Sequence, residues 1–283
     1  MTTPRVLPAA VLPAAVLPDA VLPDADRELE LIGGTANRGK VFLVGGTVRR
    51  PLRPASAATH AVLQHLERIG FDGAPRFLGI DEHDREVLSY VEGDAATAPA
   101  APWALSDEAL VSVGRLLRRY HDAVKGFDPS GHTWTRQVPA MFRGPLVCHN
   151  DANLDNVVFR DGQAVALIDF DLAAPGSAVW DVALAARLWA PLREDQDISD
   201  VRKGRVLERF RTFVDAYGLT GADRSAVVDA VLHTHDWCYA VVRDGVAAGH
   251  AGFTDYWGAA AARAARSRGW YERCAGPLRD ALA

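Results

Sequence analysis

Asp151, Asn156 and Asp169 are the residues whose types and spacing could do chemistry together. They fall within one stretch, LVCHNDANLDNVVFRDGQAVALIDFDLAAPGSAVWD, at positions 146–181. Asp151 sits in a turn between two β-like runs, Asn156 follows five positions later, and Asp169 ends the next β-like run. Moving a phosphoryl group requires a carboxylate that accepts a hydroxyl proton and oxygen ligands that hold magnesium against the phosphates. Magnesium favours one or two carboxylates, completed by phosphate oxygens and water, over a full protein cage. An Asp and an Asn from adjacent loops meet that preference and leave a second Asp to act as base. Asp and Asn also favour turns because they hydrogen-bond their own backbone; the flanking pattern is what favours chemistry here.

The segment HNDANLDN (149–156) resembles the H-x-D-x-x-x-x-N catalytic loop of the kinase superfamily, in the form used by aminoglycoside phosphotransferase-like enzymes. IDFD (168–171) resembles the metal-binding segment that is D-F-G in protein kinases. The chain is also similar to actinobacterial phosphotransferase-family proteins grouped with trifolitoxin immunity proteins. The resemblance implies an α+β, bilobal, protein-kinase-like fold with a small antiparallel β lobe and a larger, mainly helical lobe. ATP and Mg²⁺ would bind between the lobes, and the γ-phosphate would pass to a hydroxyl of a small antibiotic- or metabolite-like molecule. Carried over by position, Asp151 is the catalytic base, Asn156 and Asp169 are the magnesium ligands, and His149 and Asp181 brace the loop. Tyr90 and Val91 would form the hinge that receives adenine.

The upper lobe departs from the family pattern. In TVRRP (47–51), Arg49 takes the position of the usual strand lysine, with Arg50 beside it; an arginine keeps the charge and can clamp phosphate bidentately. The helix glutamate that normally partners the lysine has no counterpart, because that turn reads Ala57-Ala58-Thr59-His60. Asn150 stands where small-molecule kinases commonly have glycine. Gly33 and Gly34, with Gly39, could form either a loop over the phosphates or an ordinary hairpin. Two alternative functions stay open: a non-catalytic immunity or binding protein on a kinase-like scaffold, and a kinase for a natural-product precursor peptide. Only eleven residues separate Asp169 from Asp181, which disfavours a peptide-docking segment.

These residues need elements to position them. ELELI (28–32), KVFLV (40–44) and TVRRPL (47–52) read as strands, the last two joined by a Gly45-Gly46 turn. Residues 56–69 carry apolar groups at helical spacing and end at Gly70, a C-terminal cap. RFLGI (76–80) and EVLSYV (86–91) read as further strands. Ser106 caps a helix whose stripe is Leu110, Val113, Leu117, Tyr120 and Val124. Residues 178–190 and much of 201–283 read as helical. The expected organisation is a low-complexity tail (1–27), a nucleotide-binding lobe (28–92) and a catalytic and substrate-binding lobe (93–283). The tail repeats a VLPAA-type pentapeptide, whose prolines favour extended or disordered chain.

Composition bounds the alternatives. Of 283 residues, 49% are apolar and 24% charged, as in a globular protein. A net charge of −5 argues against a nucleic-acid partner, which needs a basic face. The sequence holds no apolar run long enough to span a membrane. Cys148, Cys238 and Cys274 are too scattered for a disulfide or zinc framework, so a reducing, cytoplasmic setting is the simpler expectation. His233 and His235 form H-x-H without further ligands at zinc spacing. The acidic run Glu194, Asp195, Asp197 and Asp200 reads as a solvated face, with attraction of a cationic acceptor as the less favoured role.

Overall fold

The computed structural model describes residues 12–13, 28–32, 39–97, 100–249 and 251–283. Gly33 and Gly34, and all but two residues of the pentapeptide tail, lie outside them. The exception is Leu12–Pro13 (β1), which pairs in parallel with Leu31 and Ile32 of β2 (Glu28–Ile32).

Successive hairpins build the upper sheet. β3 (Phe42–Val44) and β4 (Thr47–Pro51) are joined by the expected Gly45-Gly46 turn, with Gly45 at φ +57°. The helix α1 (Ser56–Arg68) follows, then β5 (Phe77–Ile80) and β6 (Arg85–Ser89). The sheet order is β1-β2-β3-β4-β6-β5, antiparallel except at β1. α1 ends as its sequence predicts: Gly70 adopts φ +75°, Phe71 N–H donates to the Leu66 carbonyl and Gly70 N–H to that of Glu67. That is a Schellman closure, open to glycine because it lacks a Cβ.

Asp81 closes the β5–β6 hairpin. Its Oδ1 accepts from the backbone N–H of His83 (3.0 Å) and Arg85 (2.9 Å), and its Oδ2 from Arg85 Nε (2.9 Å). Desolvation opposes the charged form, but these donors prevail and hold the carboxyl down at about 2. A folded pKa below the unfolded value near 3.9 contributes stability that is complete above about pH 4 and lost as pH falls toward 2. We expect Asp81→Ala to cost about 1–3 kcal/mol at neutral pH. Paired urea melts should show that difference shrinking between pH 4 and pH 2; a constant difference would contradict the assignment.

The lower part begins at β7 (Asp94–Ala95), after Gly93. Gly93 has φ +138°, and a Cβ there would lie 2.4 Å from the Phe159 carbonyl oxygen, so the chain can pass this close only without a side chain. β7 joins a small sheet of order β10-β9-β7, with β9 at Val157–Arg160 and β10 at Gln163–Leu167. β8 (Leu146–Cys148) pairs with β11 (Ala174–Gly176). Five helices complete it: α2 (Asp107–Val124), α3 (Ala178–Trp189), α4 (Val206–Tyr217), α5 (Gly221–Ala247) and α6 (Ala251–Leu282). Ser106 caps α2 by accepting from Ala109 N–H at 3.1 Å. The whole predicted stripe of α2 is buried, in a core shared with Trp180, Trp189, Phe210 and Phe213. No helix among the described residues is long and apolar enough to cross a membrane.

Candidate active site

The HNDANLDN segment (149–156) is anchored from beneath by side chains distant in sequence. Asp181 on α3 is fully buried and receives three hydrogen bonds: from His149 N–H (2.7 Å), Asn150 N–H (2.8 Å) and His121 Nε2 (2.9 Å). Burial alone would raise its pKa; these donors, His121 foremost, hold it below the usual carboxylate range. Tyr217 Oη lies 2.7 Å from the other ring nitrogen of His121. Trp189 Nε1 donates to the Ala152 carbonyl (2.8 Å) and Tyr120 Oη to that of Val147 (3.0 Å). His121, Tyr120 and Trp189 carry no motif signal, and sequence reasoning did not assign them to the site.

The residue in the usual glycine position now has an explanation. Asn150 is left-handed, with φ +62°, a conformation open to glycine and, at lower cost than for other side chains, to Asn. Its amide bridges two elements: Nδ2 donates to the Leu172 carbonyl (2.9 Å) and Oδ1 accepts from Trp180 Nε1 (3.1 Å). His149 is buried as well. Its Nε2–H donates to the Ile168 carbonyl (3.0 Å), while Nδ1 accepts from Asp151 N–H (3.3 Å). Desolvation lowers its pKa. Both ring nitrogens are occupied in backbone bracing, which suits a support role.

Asp151 stands above this platform, partly exposed. Asn156 Nδ2 donates to its backbone carbonyl (2.9 Å) and to its Oδ2 (3.0 Å), and Asn153 Nδ2 donates to its Oδ1 (3.1 Å). Burial, then repulsion from Asp169 and Asp155, raises the Asp151 carboxyl well above its ordinary value, against a smaller pull from Arg187. With the Asn156 amide nitrogen committed to Asp151, its carbonyl oxygen is left as the acceptor. Asn156 and Asp169 line the same cleft between the upper sheet and the lower lobe. Asp169 is held at φ +61°, a costly conformation that turns its carboxylate out of the β10 direction. Leu31, Val41, Val48, Leu88, Tyr90, Val91 and Ile168 supply apolar walls of the kind that sandwich a flat base.

One carboxylate in this cleft was missed from the sequence. Asp155 also lines it, and burial raises its pKa. Its position immediately before Asn156 was the available signal.

The upper-lobe cation requires a correction. Arg49 does not face the cleft: its Nε donates to Thr47 Oγ1 (3.1 Å) and its Nη1 lies 3.4 Å from Asp81. The arginine in the cleft is Arg50, which is buried. Its Nη1 is 2.9 Å from Asp169 Oδ1, its Nη2 is 2.9 Å from Asp171 Oδ1 and its Nε is 2.6 Å from Glu86 Oε1. The cause is the period of two along a strand: Val48 and Arg50 share the inner face, and Arg49 takes the other. The phase of Val48 was the signal that separates them. Asp171 also pairs with Arg53 (2.8 Å). Burial and the neighbouring Asp169 raise it to about 6 against the two arginines.

The acidic run is also not a free cation trap. Asp197 pairs with Arg266 (2.5 Å), Glu194 with Arg273 and Asp200 with Arg202 (2.8 Å). His235 is buried against Tyr239 and Tyr271, and His233 meets Phe142 edge-on. Among the described residues no group of three or more His, Cys, Asp or Glu is arranged to hold a metal ion. The donors that line the cleft, the carboxylates of Asp155 and Asp169 and the Asn156 amide oxygen, are oxygen groups of the kind a hard cation takes.

Known proteins resemble this chain in sequence and in fold. A model of the phosphotransferase enzyme family matches residues 132–213, which include the catalytic-loop segment, Asp169 and Asp181. The trifolitoxin immunity protein of Rhizobium leguminosarum bv. trifolii is 36% identical over 213 residues, covering 72% of this chain and 79% of that protein. Among solved structures, a choline/ethanolamine kinase family protein from Mesorhizobium loti superposes with a TM-score of 0.59 at 17% identity, covering 90% of this chain and 94% of that one. The gentamicin complex of APH(2")-IIa gives 0.55 at 14% identity, covering 78% and 86%. At such identities these two structures establish a shared kinase-like fold.

Proposed function

We propose, from the premise that this chain belongs to the phosphotransferase enzyme family alongside the trifolitoxin immunity protein, that it transfers the γ-phosphate of ATP to a hydroxyl of a small molecule. The observation that supports this reading is that Asn156 and Asp169 line an interlobe cleft with the buried Arg50, while Asp151 is hydrogen-bonded to Asn156 beside it. The Asn156 carbonyl oxygen and the Asp169 carboxylate would hold magnesium, which would supply neutralising charge for the triphosphate. The raised proton affinity of Asp151 suits a base that must take a hydroxyl proton near neutral pH. Asn156 and Asn153 aim that carboxylate by their amide hydrogen bonds. Arg50 is the phosphate clamp, exchanging its bond to Asp169 for phosphate oxygens. Tyr90 and Val91 receive the base at the hinge.

Calorimetry on the full chain tests the premise: millimolar Mg-ATP or Mg-GTP should bind, and binding should fall when magnesium is withheld. No heat with either triphosphate would overturn the reading. The arginine assignment gives a separate expectation. Arg50→Gln should weaken Mg-ATP binding about 10- to 100-fold, the value of a charged hydrogen bond, whereas Arg49→Gln should leave it unchanged. The reverse ranking would restore Arg49 as the clamp.

The 36% identical relative bears the name of an immunity protein, which favours one second reading: protection by binding alone on a kinase-like scaffold. Asp151→Asn separates the two. Cells relying on this chain for protection against a toxin would lose it with that variant if phosphorylation is the means, and keep it if binding suffices.

A further inference from the structure

We propose that Glu86 is the anchor of the phosphate-binding arginine and that His60 is the positioning residue that aims it, so that the nucleotide clamp is wired between two neighbouring strands. This deepens the phosphotransferase reading and rests on it.

Arg50 on β4 and Glu86 on β6 are directly opposite one another in the strand register. Their side chains leave the same face and meet at 2.6 Å, Nε to Oε1. The second oxygen of Glu86 accepts from His60 Nε2, also at 2.6 Å. The His60 ring is itself fixed, stacked on Phe77 with centroids 3.7 Å apart and planes 13° from parallel. All three side chains are buried, Glu86 at 1% exposure. One Glu86 oxygen accepts from His60, and the other lies in a close ion pair with Arg50 that is not aligned as a hydrogen bond; a carboxylate this buried has no cheap position away from those two partners.

The consequence follows from the shape of guanidinium. Its Nε side lies in an ion pair with Glu86, while Nη1 and Nη2 reach Asp169 and Asp171 at 2.9 Å each. One edge is a fixed pivot and the other can exchange a carboxylate for phosphate. A lysine ammonium, a single point charge, offers no such division. In protein kinases the corresponding acid lies on a helix whose position controls activity. Directly opposed residues of an antiparallel pair stay roughly 5 Å apart at Cβ as long as the sheet holds. Here α1 reaches the clamp through His60, which turns Glu86 without itself carrying the anchoring charge.

The test compares Mg-ATP with adenosine, which has no phosphate for Arg50 to hold, by titration calorimetry on the full chain. Glu86→Gln should weaken Mg-ATP roughly 10- to 100-fold and leave adenosine unaltered. His60→Phe, which keeps the ring stack and drops the donor, should weaken Mg-ATP less, and His60→Gln, which restores an N–H donor, should recover part of the loss. If Glu86→Gln does not fold, the two His60 variants carry the same comparison. Equal Mg-ATP affinity in wild type and variants overturns the proposal, as does parallel loss of Mg-ATP and adenosine, the mark of a merely structural role. A wild-type chain that binds no Mg-nucleotide overturns the phosphotransferase reading itself, a distinct result.

Discussion

Asp151→Asn is expected to slow phosphoryl transfer by roughly a hundredfold to ten-thousandfold, the contribution of a positioned general base, while Mg-ATP affinity stays near that of the wild type. The substitution is close to isosteric, so packing is kept, although its amide nitrogen faces the Asn153 or Asn156 donor and forfeits one partly exposed hydrogen bond. What disappears is the acceptor for the hydroxyl proton. The same change should stabilise the metal-free fold. The folded pKa of Asp151 is raised by burial and by Asp169 and Asp155, so ionising it costs folding energy. That cost is absent below the unfolded value near 4 and grows as pH rises through the folded value. Melts without divalent cations should therefore show Asp151→Asn gaining on wild type as pH rises above 4. Turnover equal to wild type would sink the base assignment. A variant less stable than wild type at neutral pH would mean that its carboxylate is a structural ligand.

The second large effect is structural. Asp181→Asn is expected to destabilise the fold by about 3–5 kcal/mol, the range for breaking a buried charged network by removing one partner. The carboxylate accepts three hydrogen bonds in full burial, and an amide turns one acceptor into a donor facing an N–H. At roughly 2–4 °C per kcal/mol for chains of this size, the melting temperature should fall by about 10 °C. Because the His149 and Asn150 backbone amides precede Asp151 immediately, turnover should fall in the surviving folded fraction too. A melting point within a degree or two of wild type would show that the network is dispensable.

The two predictions separate residues that the motif alone presents side by side. On these expectations Asp151 would be kept at a cost in stability, as functional carboxylates commonly are. Asp181 is stabilising and never reaches the cleft. His121 and Tyr217 belong with Asp181: they extend its network from α2 and α4, and their effects should be non-additive with its own.

Much of this protein was legible in its amino-acid order alone, wherever the physics is local. The Gly-Gly hairpin, the Gly70 closure, the Ser106 cap and the stripe of α2 depend on residues within a turn or two of each other, and the structure has them where the pattern placed them. The spacing of Asp151, Asn156 and Asp169 is likewise short-range, set by one loop and one hairpin. Tertiary structure alone decided which side chains meet across long separations. Arg50 reaches Asp169 over 119 positions, His121 reaches Asp181 over 60, and Glu86 serves as the partner that no helix residue supplies. A one-residue change of phase on a strand exchanges Arg49 for Arg50, and the pairing of an acidic run with arginines of α6 leaves no trace in its own sequence. Backbone preferences act between neighbours in the chain. Charges buried in a cleft answer to neighbours in space, and those exist only once the sheet and helices have packed.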